Sequence, residues 1–241
     1  MDLGSDVIIL EADGLIDEKH GYGTPIANRL KEFGIRSTIF PVEPNIDRLD
    51  TLPYKPLIIS GGMTEVTADI DWINKFKTFV LNIINENIEQ ESIQPIFGIC
   101  FGAQLLVEAF SPGSVRYLDD PEIGVSKIII DIPEHALFKG YDNEFDVYAF
   151  HYNQIWSDDV VVISDHLHKG HKFIQAYEIP EAFVYGVQFH PEFSYAEILQ
   201  LFKTYKQLIS ELGFDLSPII QELPQLDGNQ RILRNFLTLC D

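Results

Sequence analysis

Two cysteines and seven histidines occur in 241 residues, so the surroundings of each are informative. Cys100 lies in "FGICFGAQLL" (97–106), between Gly98 and Gly102, where an apolar run gives way to a helical pattern. A strand that ends in Gly-x-Cys-x-Gly and turns straight into a helix has the pattern of a nucleophile elbow. The glycines remove side chains where strand and helix must pack closely. A thiol at the amino end of a helix meets free amides and the positive end of the dipole, which favour a thiolate. The N–H of Phe101, next in the chain, is placed to donate to an oxyanion. The alternative is a small buried hydrophobe, the usual fate of a free cysteine, and Cys240 near the terminus fits that description better.

A cysteine nucleophile needs a base. His190 ends the apolar run "FVYGVQF" and is followed by Pro191 and Glu192. Positions two apart in an extended segment face the same side, so Glu192 can orient the His190 ring, giving a Cys-His-Glu triad. His20, His135, His166, His168 and His171 read as ordinary surface or core residues. "HLHKGH" (166–171) has no nearby cysteine and no carboxylate arrangement suited to a metal, and no metal is expected. His151, in "YAFHYNQ", also follows an apolar run and stays a candidate. A third element is "IISGGMTEV", where a strand ending in Ser60-Gly61-Gly62 leaves backbone amides uncovered, as an oxyanion hole requires; a plain tight turn has the same composition.

These residues need a scaffold that brings strand ends together. Short apolar runs at Val7–Leu10, "STIFPV", "PLIIS" and "PIFGIC" alternate with helical patterns, "TPIANRLKEFG" stopped by Gly34 and "IDWINKFKTFVLNIINENI" with Ile70, Ile73, Phe76, Val80, Ile83 and Ile84 on one face. Alternation of this kind implies an α/β fold, an open and mostly parallel sheet flanked by helices, with the active site at the carboxyl ends of the strands. In the second half "VSKIIIDI", "EFDVYAFHY", "VVVIS", "KFIQAYEI" and "AFVYGVQFH" follow closely, implying additional antiparallel strands. From Tyr195 the apolar spacing is helical as far as Leu212, and a proline-containing connection leads to a last helix, "QRILRNFLTLC". A single domain over 1–241 is expected, with an extra helical segment at about 194–228 before the final helix.

Net charge is −20, from 17 Lys and Arg against 37 Asp and Glu, which disfavours nucleic acid or an anionic membrane surface as a partner. No apolar run is long enough to span a bilayer and the amino-terminal residues lack a signal-like pattern, so a cytoplasmic location is expected. Two thiols make no disulfide framework.

"SGG" at 60–62, "GICFGAQ" at 98–104 and "GVQFHPE" at 186–192, in this order, resemble the class I, triad-type glutamine amidotransferases, and "EIG" at 122–124 fits the same pattern. The likeness runs from the first strand to the closing "ILRNFL". Within that class it is greatest to the stand-alone GMP-synthase-like amidotransferases and to γ-glutamyl peptidases. The resemblance implies a flavodoxin-like fold and a reaction in which the cysteine attacks the γ-carboxamide of glutamine, giving a γ-glutamyl thioester and ammonia. By position it implies Cys100 as nucleophile, His190 as general base and acid, and Glu192 as the orienting carboxylate. Amides around Gly61, Gly62 and Phe101 would form the oxyanion hole. Gln104 would contact the substrate, and His151, Tyr152 and Asn153 would border the pocket. The resemblance calls for no cofactor. Met63 stands where many members have proline, and His151-Tyr152-Asn153 replaces a common His-Gly-Asp.

The resemblance implies hydrolysis of glutamine, with ammonia passed to a separate synthetase subunit, or of a γ-glutamyl conjugate, with release of an amine. A non-catalytic regulatory or interaction subunit that keeps the fold, and a Cys-His esterase, are the competing functions.

Overall fold

The computed structural model describes residues 6–90, 93–168 and 171–240, with the side chains of Asp120, His168 and His171 outside the description. Five short strands supply the parallel part of the sheet: β1 (Val7–Glu11), β2 (Ser37–Pro41), β3 (Leu57–Ile59), β4 (Ile96–Ile99) and, far along the chain, β9 (Val184–Val187). Residues 57–59 and 96–99 are buried without exception, as apolar strands covered on both faces must be. Four longer strands, β5 (Val115–Ile130), β6 (Glu144–Ile155), β7 (Val161–His168) and β8 (His171–Ile179), pair antiparallel. Among the described residues the nine strands run in the order β2-β1-β3-β4-β9-β8-β7-β5-β6. Strand β9 is the seam, parallel to β4 and antiparallel to β8.

Helices cover both faces of the parallel half. α2 (Asp71–Ile88) and α3 (Phe101–Phe110) pack on one face against Ile8, Leu10, Ile59 and Ile96. α1 (Gly23–Glu32) and α7 (Arg231–Thr238) lie on the other, where Ile26, Leu30, Ile232 and Phe236 meet Ile9, Ile58 and Phe97. Successive strand residues thus alternate between two cores, the period-two rule of a sheet. The α2 stripe holds from Ile73 to Ile84, but Ile70 precedes the helix in extended backbone and is 40% exposed, so it does not belong to that face.

The run from Tyr195 is two helices, not one. α4 (Tyr195–Thr204) starts at a capping box, in which Ser194 Oγ accepts from the Glu197 N–H and Glu197 accepts from the Ser194 N–H. The helix ends at Tyr205, whose hydroxyl accepts from the Leu15 N–H at 3.0 Å, and α5 (Lys206–Glu211) and α6 (Leu216–Glu222) follow. These helices build a third core around Ile198, Leu201, Phe202, Ile209 and Leu216. It includes Tyr22, Phe150 and Phe193, and the Tyr22 and Phe193 rings flank His190. No helix among the described residues is long and apolar enough to cross a membrane.

Candidate active site

The turn at Cys100 is built by backbone packing against backbone. A Cβ on Gly98 would lie 2.5 Å from the Gly102 carbonyl carbon, and one on Gly102 would lie 2.5 Å from the Ile59 oxygen. Any side chain at either position would push α3 off the sheet. Cys100 takes φ +49° and ψ −102°, a strained conformation for a residue with a side chain. Its N–H donates to the Val187 carbonyl at 2.8 Å and its carbonyl accepts from the Gln104 N–H at 2.9 Å, which holds the strained residue in place. The sulfur stands at the amino end of α3, in a residue only 5% exposed.

His190 follows β9 through two bend residues rather than in an extended segment, so the expected same-side alternation is not what joins it to Glu192. The contact forms nonetheless: Nδ1 lies 2.8 Å from Glu192 Oε1. Phe193 stacks on the ring at 4.8 Å between centroids, and the His190 N–H donates to the Tyr148 carbonyl at 2.9 Å. Donation from Nδ1 to the carboxylate leaves Nε2 to face the pocket, where it is buried without a hydrogen-bond partner among the described residues. Burial alone would make the imidazolium more acidic. The Glu192 carboxylate and the Cys100 sulfur outweigh it and raise the His190 pKa from 6.5 to about 10.

Gln188 Nε2 approaches Cys100 Sγ at 3.7 Å, and Gln188 Oε1 accepts from Gln104 Nε2 at 3.1 Å. Gln104 Nε2 also reaches the Asn153 carbonyl at 3.4 Å. On the opposite side, Asp13 shapes the Ser60-Gly61-Gly62 turn: its carboxylate accepts from the N–H groups of Met63 and Thr64 and from the Thr64 hydroxyl. The amides of Gly61, Gly62 and Phe101 donate no backbone hydrogen bond among the described residues. Gly62 and Phe101 line the pocket with Cys100 and His190, whereas Gly61 packs beneath the His190 ring, a Cβ there falling 3.0 Å from Cε1.

A cavity of about 220 Å³ opens at this point. Gln104, His151, Tyr152 and Asn153 all line it, as do Tyr22, Met63 and Tyr117. The arrangement places together the groups that acyl transfer from an amide would use: a thiol, an imidazole oriented by a carboxylate, and amides beside the sulfur.

The sequence model for glutamine amidotransferase class-I matches residues 14–202, a span that contains Cys100, His190 and Glu192. The chain belongs to the class-I glutamine amidotransferase family. Among curated relatives of this family, a glutamine-hydrolysing GMP synthase subunit of Methanococcus vannielii is 33% identical over 175 residues, which cover 71% of this chain and 82% of that protein. The glutamine-hydrolysing GMP synthase of Fusobacterium nucleatum is 27% identical over 185 residues, 76% of this chain but 33% of its own length. The chain therefore spans about a third of that longer relative. A crystal structure of a glutamine amidotransferase from Thermotoga maritima superposes with a TM-score of 0.68 at 17% identity, covering 97% of both chains. A putative GMP synthase subunit from Thermoplasma acidophilum superposes at 0.60 with 21% identity, covering 86% of this chain and 98% of that one. Both likenesses are of fold.

Away from the sulfur, Glu122 of the "EIG" pattern and the candidate His151 meet in a second polar centre, with His166 and Gln175, which the sequence patterns did not assign. Glu122, 5% exposed, is approached by His151 Nε2 at 2.9 Å and His166 Nε2 at 3.2 Å. His151 Nε2 lies close to the carboxylate without an aligned hydrogen bond. Gln175 Nε2 donates to Glu122 at 2.8 Å and the Ser126 hydroxyl at 3.3 Å. Burial would raise the carboxyl pKa; His151, His166 and Gln175 overcome it and lower Glu122 from 4.5 to about 2. His166 is thus a partly buried histidine satisfied within this centre, while His20 and His135 pair with Asp17 and Glu178 as structural contacts. Among the described residues no group of His, Cys, Asp and Glu is arranged to hold a metal ion. Asp13 and Gln188 act over long sequence separations; the one signal in the sequence is that Gln188 lies inside "GVQFHPE".

Proposed function

We propose that this amidotransferase hydrolyses a γ-glutamyl amide, glutamine or a γ-glutamyl conjugate, through a thioester on Cys100. In the resting pair the proton resides on His190, beside the sulfur. Cys100 Sγ attacks the γ-carbonyl carbon, and the oxyanion is received by the Phe101 amide with that of Gly62. His190 Nε2–H protonates the leaving nitrogen, the C–N bond breaks, and ammonia or an amine departs. His190 then takes a proton from water, the resulting hydroxide attacks the thioester carbonyl, and glutamate leaves as the proton returns to the Cys–His pair. Glu192 holds Nδ1–H and so keeps Nε2 directed at the reacting atoms. Gln104 and Asn153 bind the glutamyl part, Tyr152 borders the pocket, and His151 positions Asn153 through its carbonyl, 2.9 Å from Nδ1.

The observation that carries this reading is the strained Cys100 in one pocket with a His190 whose outward nitrogen has no other partner among the described residues. Relatives named as glutamine-hydrolysing GMP synthase subunits support glutamine as substrate, with ammonia received by a separate synthetase. A purely regulatory role leaves thiol, imidazole and carboxylate in this geometry without a use. The test is glutamate release by the purified chain from glutamine and γ-glutamyl amides. Activity that disappears in Cys100→Ala supports the reading, and activity that persists in that variant contradicts it.

A further inference from the structure

The pocket has two unlike ends. Cys100, Gln104 and His190 are 5%, 5% and 1% exposed, and this inner end is polar. The outer wall is made by Met63, Tyr117, Tyr152, Leu208 and Leu212. Tyr117, Leu208 and Leu212 are 60%, 42% and 47% exposed, unusual for large apolar side chains gathered on one opening. Leu208 and Leu212 are four apart and joined by the Leu212 N–H donating to the Leu208 carbonyl, so they share a helix face. The completely buried Ile209 fixes that face, holding α5 in the third core while the two leucines turn to the opening. Neither leucine lies within the residues matched by the family model, which stop at 202.

Hydrolysis of glutamine gives this wall nothing to do, because departing ammonia has no apolar surface to cover. No Lys or Arg lines the cavity among the described residues, whereas Glu65 does, which disfavours an anionic leaving group. In the same wall the Tyr152 hydroxyl is buried without a hydrogen-bond partner among the described residues, a polar atom available to a bound ligand.

We propose that the outer wall is a leaving-group subsite, and that the substrate is a γ-glutamyl amide of an uncharged alkyl or aryl amine. This rests on the hydrolytic reading above and specifies its substrate class. The glutamyl part enters the polar end, and the amine substituent lies against Leu208, Leu212 and Tyr117 with its bond to nitrogen near Cys100. Each methylene covered contributes roughly a fourfold preference, so a benzyl or butyl substituent gains about tenfold or more over methyl.

The experiment compares glutamine with the γ-glutamyl methylamide, butylamide and benzylamide, in the intact protein and in a Leu208→Ser, Leu212→Ser double variant. The expected result is a kcat/KM that rises about tenfold or more from methylamide to benzylamide, and a benzyl-to-methyl ratio that falls towards one in the variant. A flat series, or a ratio the double variant does not change, overturns the subsite while turnover of any amide leaves the hydrolytic reading standing. Labelling of Cys100 by a glutamine-mimicking electrophile without turnover of any amide also overturns the subsite, and assigns the wall to a protein surface. Absence of both labelling and turnover overturns the hydrolytic reading itself.

Discussion

His190–Glu192 and His151–Glu122 are built from the same two residue types, and in both the side chains are at most 4% exposed. They differ in what the imidazole has left over. His151 gives Nδ1 to the Asn153 carbonyl and turns Nε2, without an aligned hydrogen bond, towards the Glu122 carboxylate 2.9 Å away, so its second nitrogen faces a fixed acidic group. Glu122 is further held by His166, Gln175 and Ser126. His190 commits only Nδ1, and among the described residues its second nitrogen meets no fixed partner but the neighbouring thiol. The nitrogen that faces a carboxylate is held in a polar cluster; the one that faces a thiol in the pocket is placed for chemistry. Burial raises the stakes in both, because an unpaired polar group in a low dielectric is expensive.

The comparison breaks first at the thiol that only one pair possesses. Cys100→Ala is expected to lower glutamate release by at least about 10⁴-fold, with thermal stability retained. Glu192→Gln is expected to lower kcat by up to about 10⁴-fold, as the loss of an orienting carboxylate does in triads. It also moves the pH profile. The His190 pKa is raised above its unfolded value of 6.5, so the stabilisation from its partners is fully present below 6.5 and lost as pH rises through about 10. The alkaline limb of kcat/KM is therefore expected near pH 10 in the native protein and is expected to shift towards neutrality in Glu192→Gln.

Glu122→Gln sharpens the contrast, since its cost is expected in stability rather than chemistry: about 2 kcal/mol by urea unfolding at neutral pH, with kcat changed less than about tenfold. Glu122 has a depressed pKa, so its contribution is present above 4.5 and lost as pH falls to about 2; the stability gap between the two proteins should close across that window. The smallest effect is expected for Cys240→Ser. This half-buried thiol donates to the Phe236 carbonyl at the end of α7, far along the chain from the pocket residues, and its replacement should leave both activity and folding within about 0.5 kcal/mol of the original.

The parallel half and the Cys100 turn were legible in the sequence because their determinants are local. β3, β4 and α2 carry their periodicity on their own residues, and the Gly98 and Gly102 spacing is itself the packing constraint. β5 was harder to read: its first residues, "VRYLDDPEIG", include Asp, Pro and Gly, and they are strand only because β6 pairs with them across a break between Tyr117 and Glu122. The 3-10 segment Glu43–Thr51 gave no periodic signal. The break at Tyr205 depends on a hydrogen bond to Leu15, 190 residues away in sequence. Asp13 and the parts that His166 and Gln175 play at Glu122 were invisible for the same reason, and Gln188 and Glu122 showed only as letters of "GVQFHPE" and "EIG", since each acts through partners brought close only by the fold.

The central claim is that one of two thiols is a nucleophile because an imidazole with a free nitrogen stands beside it. The most direct test is to treat the native protein with a glutamine-mimicking electrophile, map the modified peptide by mass spectrometry, and repeat the labelling in His190→Ala and with excess glutamine. Stoichiometric modification of Cys100 and not Cys240, slowed by glutamine and lost in His190→Ala, is the predicted result. Equal modification of both cysteines, or labelling of Cys100 that is indifferent to His190, would contradict it.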